Sequence, residues 1–146
     1  MPAAGEKVRA SHIAGLAQFD SVPTDESTAS TSYTNLATTG PSVSITLVAG
    51  QSAKVYWTAD AYNTTADLRT FMGIEITGAS GTTAAADSAS AKGSTGSTNS
   101  GSTTMNFMPY TATSTGSHTF TAKYKVTSGT GHWINRRLLV EPEPIS

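Results

Sequence analysis

From Tyr33 onward the chain reads with a period of two, and that period is what most narrows the folds open to it. Val43, Ile45 and Leu47 alternate with Ser42, Ser44 and Thr46 and are closed by Ala49-Gly-Gln51, as a strand with one wet face followed by a turn requires. Val55, Trp57 and Ala59 alternate with Lys54, Tyr56 and Thr58. Met72, Ile74 and Ile76 oppose Phe71, Gly73 and Glu75, and Phe120, Ala122, Tyr124 and Val126 oppose Thr119, Thr121, Lys123 and Lys125. In the last such stretch, 132–140, strict alternation puts Ile134, Arg136, Leu138 and Val140 on one face. The run Glu141-Pro-Glu-Pro144 is expected to end it, since proline cannot donate to a ladder. Helical alternatives fail because serine, threonine and glycine fill the stretches that would need alanine, leucine or glutamate.

Weaker strands at 33–38, 83–91 and 103–111 bring the total to about eight, with turns near Gly40-Pro41, Gly50, Gly78, Gly116 and Gly129 to Gly131. The expected fold is all-β, a jelly-roll-like antiparallel β-sandwich spanning residues 32–140. A length of 146 residues suits one such domain. The ends read differently. In residues 1–20, Val8, Ile13, Leu16 and Phe19 could line one side of a short docking segment, although Gly15 interrupts it. Residues 21–31 read as a polar linker, 92–101 as an exposed low-complexity loop and 141–146 as a tail. The start lacks the apolar stretch of an export signal and no apolar run is long enough to span a bilayer, so neither self-directed export nor membrane insertion is expected.

Composition excludes several chemistries. Charged residues make up 13% and the net charge is -1, so there is no basic field for nucleic acid. The absence of cysteine removes disulfides, thiolate metal sites and thiol nucleophiles together. Serine and threonine supply about 30% of the chain, well above ordinary usage, but lie in repetitive contexts with no nucleophile elbow or phosphate-binding glycine loop around them. His12, His118 and His132 lack a metal-binding spacing; at most His118 and His132 could meet across adjacent strands. No metal and no cofactor is expected. Asp60, Asp67, Glu75 and Asp87 are the carboxylates from which a glycosidase pair could be drawn, yet Asp60 and Asp67 flank a turn-rich stretch where aspartate ordinarily caps backbone.

Two features read as contact surface. Tyr56, Tyr62, Phe71, Tyr110 and Trp133 fall on or near solvent-facing strand positions, where aromatics stack on sugars or fill a subunit interface; Tyr56, Tyr62 and Trp133 are the candidate glycan or interface contacts. Arg136 and Arg137 point to opposite faces, so one of them needs an inward carboxylate, with Glu75 or Asp60 as candidates. Asn63-Thr-Thr65 matches a glycosylation pattern that matters only on a secretory route.

Four stretches together carry a family likeness: Gly5-Glu-Lys-Val-Arg-Ala-Ser-His-Ile13, Ser32-Tyr-Thr-Asn-Leu-Ala-Thr-Thr-Gly-Pro-Ser-Val-Ser44, Phe120-Thr-Ala-Lys-Tyr-Lys-Val126 and Trp133-Ile-Asn-Arg-Arg-Leu-Leu-Val140. The combination resembles small virion proteins of tailed phages, especially phages of actinobacteria, often called minor tail proteins. That resemblance implies a short leading segment before a β-sandwich, and a non-enzymatic role in a virion assembled in the host cytoplasm. It also implies other virion proteins as partners and homo-oligomeric assembly, with a trimer favoured. The leading segment is shorter than the helical run of many tail relatives, which keeps capsid decoration open beside a tail location. On these grounds Val8, Ile13, Leu16 and Phe19 are the expected virion-docking residues. A glycan- or receptor-binding tail-fibre module, and a cell-wall hydrolase using Asp60 or Glu75, are the competing expectations.

Overall fold

The computed structural model describes residues 15–94 and 101–145, and among these residues nine strands form. These are β1 (Gln18–Val22), β2 (Glu26–Thr28), β3 (Ser42–Leu47), β4 (Ser52–Asn63), β5 (Arg69–Gly78), β6 (Ala91–Ser94), β7 (Ser102–Thr111), β8 (Gly116–Val126) and β9 (Gly131–Pro142). A 3-10 turn at Asp87–Ala89 precedes β6. Of the three weaker expected strands, 103–111 forms as β7. The stretch 33–38 reduces to one bridge, Thr34 to Tyr124, and 83–91 to a Thr83–Ile76 bridge and the 3-10 turn.

The strands make two antiparallel sheets. One runs β1-β9-β4-β7 with β2 also on β9, and the other runs β3-β8-β5-β6. The pairings β1 with β9, β3 with β8, β4 with β7 and β5 with β6 nest one inside another. That is the pattern of a long hairpin rolled up on itself, the jelly roll. Because β8 and β9 lie in different sheets, His118 and His132 do not meet as the sequence allowed.

Period two explains how the core assembles. Strand β4 alternates without a break, burying Ala53, Val55, Trp57, Ala59 and Ala61; Met72, Ile74 and Ile76 of β5 and Phe120, Ala122, Tyr124 and Val126 of β8 face them from the other sheet. Across that interior the Trp57 indole Nε1 donates to the Met72 carbonyl at 2.7 Å, so this large core side chain leaves no orphaned donor.

Three expectations about the ends and the last strand are corrected. Residues 21–31 are not a spacer: Val22 is buried, β1 pairs residue for residue with Val140 back to Arg136, and β2 pairs with Trp133 to Gly131. The expected docking segment therefore ends inside the sheet. A backbone can enter a ladder however polar its side chains, provided its N–H and C=O groups meet partners. Strand β9 also continues into Pro142. Glu143 N–H donates to Ser52 O at 2.9 Å, so alternation aims the Pro142 nitrogen away from β4, toward the side where β1 pairing has already ended.

The third correction concerns faces. In β9 the register slips against β4 between Thr58 and Asp60, and Asn135 there takes φ 52°. This is a β-bulge, which adds one residue and resets which side chains point inward. Trp133 thereby joins Arg136, Leu138 and Val140 in the interior, while Ile134 turns partly outward. The aromatic expected as a solvent-facing contact is fully buried.

Arg136 is fully buried too, and its carboxylate is Glu26 of β2, at 2.7 Å from Nη2, rather than Glu75 or Asp60. Arg136 Nη1 and the Tyr124 hydroxyl both donate to the Gly40 carbonyl, at 3.4 and 2.8 Å, and the guanidinium lies over the Tyr124 ring. Burial alone would raise the Glu26 pKa. The hydroxyl and amide of Thr38, together with Arg136, outweigh it and hold the carboxyl below its ordinary value.

One turn position admits only glycine. Gly78 has φ 125° at the end of β5, and a Cβ there would collide with the Ser117 carbonyl oxygen. Gly78→Ala is expected to lose about 1–3 kcal/mol, read as a lower urea midpoint at unchanged m-value. An unshifted midpoint would contradict this geometry.

Candidate functional site

The two sheets present unlike outer faces. On the β3-β8-β5-β6 sheet, Phe71 is buried under Lys92 and Lys125, and Gly73 lies beneath Tyr33, Ala85 and Ser90. Tyr33 and Lys125 are tied to Asp87 of the 3-10 turn, which staples this covering segment down.

The outer face of β1-β9-β4-β7 is open. Register places Phe19, Leu139, Tyr56 and Phe107 opposite one another on four successive strands, so that they form one row across the sheet. Phe19 is 60% exposed and Phe107 46%, and the Tyr56 and Phe107 rings lie 5.0 Å apart. One row along, Met105 is 71% exposed, and a shallow groove of about 180 Å³ runs between Phe19, Tyr56, Met105, Arg137 and Leu139. Four large apolar side chains in line on an exposed sheet face form a contiguous patch, unlike apolar residues scattered singly over a surface.

A polar cluster lies further along. Asp60 accepts from Asn135 Nδ2 at 3.0 Å and from the Thr103 hydroxyl at 2.6 Å. Those two bonds, and more distantly Arg137, lower its pKa against a smaller opposing effect of burial. Beyond it Tyr62 stacks on His132, with centroids 4.5 Å apart and planes within 6°, and Asp25 contacts His132 Nδ1 at 3.0 Å and the Tyr62 hydroxyl at 3.5 Å.

The expected contact residues therefore divide. Tyr56 lies in the apolar row, Tyr62 is engaged with His132, Trp133 is in the interior, and Phe71 is buried on the outer side of the other sheet beneath Lys92 and Lys125. Of the expected docking residues, Val8 and Ile13 lie outside the described residues. Leu16 is 82% exposed beside Pro142 and β3, on a different surface from Phe19. Phe107, Met105 and Leu139 escaped the sequence reading. Their signal was present as Met105, Phe107 and Pro109 at alternate positions, but β7 also carries Met108 and Tyr110 on its inner side, so alternation could not say which set was covered. Asn63, the glycosylation candidate, is fully buried and donates to the Ser128 carbonyl.

Carboxylates drawn from the two sheets do not converge. Asp60 lies on the outer face of one, whereas Glu75 pairs with Lys123 and Asp87 with Lys125 on the outer side of the other. Among the described residues no three histidine or carboxylate side chains gather as metal ligands, and no helix is long and apolar enough to cross a membrane.

The described residues thus define a jelly-roll domain in which the outer face of one sheet is covered over β5 and that of the other is open. No family model matches the chain, and no curated protein matches it. Among solved structures it is similar to a chain in "Structure of infectious bursal disease virus Gx strain", at 13% identity and a TM-score of 0.39. That alignment takes in 100% of this chain and 42% of the viral one, so the chain spans less than half the length of its structural relative.

Proposed function

We propose that this chain is a non-enzymatic structural protein on the exterior of a tailed-phage virion, a minor tail or capsid decoration protein, which reinforces the particle or aids adhesion to the host. The open apolar row Phe19-Leu139-Tyr56-Phe107 carries the reading, because such a patch on an otherwise polar sheet is what a surface built for protein neighbours presents. The family likeness read from residues 5–13, 32–44, 120–126 and 133–140 supplies the virion setting. Leu16 adds an exposed anchor for docking at the N-terminal side. Immunogold labelling of purified particles with antibodies against this chain tests the proposal. Gold on the outer surface is the expected result, and unlabelled particles with the chain confined to the soluble lysate would overturn it.

A glycan-binding role is a second reading, favoured by the Tyr56 ring beside Arg137 and two rows from Asp60, an aromatic platform flanked by polar groups. It requires binding on a glycan array that Tyr56→Ala abolishes. An array with no signal would dismiss it.

A further inference from the structure

We infer that the open face of the β1-β9-β4-β7 sheet is a two-fold interface with a second copy of this chain, packed row on row. The inference names a partner for the face that carries the proposed function, yet rests on that face alone and not on a virion location.

The geometry of the face is self-complementary. On β9, Arg137 and Glu141 stand two residues to either side of Leu139; on β4, Thr58 and Lys54 flank Tyr56 in the same way; on β7, Met105 and Pro109 flank Phe107. A two-fold axis lying in the interface along the row leaves each row residue facing its own counterpart and exchanges the flanking positions. Phe19, Leu139, Tyr56 and Phe107 then meet themselves, Met105 meets Pro109, and Arg137 meets Glu141. Strands of the two copies run antiparallel and nearly aligned, the ordinary way for two sheets to stack.

Charge supports this partner. Among the described residues Lys54, Lys123, Lys125, His132 and Arg136 all have a carboxylate within 4 Å. Arg69 and Lys92, on the other sheet, have none; on the open face Arg137 has none, nor does Glu141 have a cation, because Lys54 is turned to Glu143. Each is the group that the other copy would supply. A threefold ring joins unlike surfaces and so does not set this face against itself.

Light scattering on the size-exclusion eluate of the full chain tests the inference. The expected mass is twice 15.0 kDa at on the order of 100 μM, within reach of a modest interface. Phe107→Asp and Met105→Lys, both at exposed positions, should each give a monomer with an unchanged far-ultraviolet spectrum. Arg137→Glu alone and Glu141→Arg alone should each weaken the dimer at least tenfold, and the two together should restore it. A monomeric or trimeric native chain, a dimer indifferent to Phe107→Asp, or charge reversals that fail to rescue one another would overturn the interface. Labelled particles with a monomeric chain would remove the interface and leave the virion reading standing; a dimer with unlabelled particles would do the reverse.

Discussion

Replacing Glu26 by alanine is expected to cost about 3–5 kcal/mol of folding stability, because it strands the Arg136 guanidinium as an uncompensated charge in the interior. The Arg136 side chain is fully enclosed, its Nε already lacks a partner, and its other neighbours are the Gly40 carbonyl and the Tyr124 ring. Among the described residues no other carboxylate lies within 4 Å of Arg136 to replace the one at 2.7 Å. Urea unfolding followed by tryptophan fluorescence measures the loss directly. Glu26→Leu combined with Arg136→Met should recover most of it, since a buried pair replaced by apolar side chains of similar volume is often neutral. If the double variant were no more stable than Glu26→Ala, the damage would lie in the Thr38 contacts of Glu26 and not in the stranded charge.

The same pair gives the fold an acid limit. Folding lowers the Glu26 pKa, so the stabilisation it brings is complete above the unfolded carboxyl's value of about 4.3 and is lost as pH falls through the lower folded value. Asp60 and Asp87 are lowered as well, Asp60 first by its bond from Asn135 and Asp87 first by Lys125, and act in the same direction. Stability should therefore decline below about pH 4, and Glu26→Gln should flatten that decline. An unchanged acid slope in Glu26→Gln would remove Glu26 from the account.

Trp133→Ala is expected to cost a similar amount, about 3–5 kcal/mol, as the loss of a large buried aromatic and the cavity left behind. Trp133 packs edge to face on Tyr124 at 5.1 Å and against Gly131, where a Cβ would press on its ring. Tyr56→Ala, on the open face, should change stability by under about 1 kcal/mol. Comparing the two by thermal and urea unfolding separates core from contact surface. A Trp133 variant as stable as the native chain would place that side chain outside the core and undo the bulge at Asn135.

That bulge marks where sequence and tertiary structure part company. Alternation in β4 and β8 made the all-strand body and most of its core legible, because a local period of two is enough when one face is buried and the strand is regular. It misassigned β9 because one residue in a left-handed conformation exchanges the faces before and after it, and asparagine reports that tolerance only weakly. Likewise 21–31 looked like a linker, since it holds almost no apolar residues and its order comes from pairing with a strand more than a hundred positions away. The open row has the same origin: Phe19, Leu139, Tyr56 and Phe107 belong to four separate stretches, each with an unremarkable outward aromatic or aliphatic side chain. By itself the sequence determined strand character, an antiparallel sandwich and the absence of thiol chemistry. Only the rolled pairing of distant strands decided which side chains share a face, because register is a property of two strands and is written in neither alone.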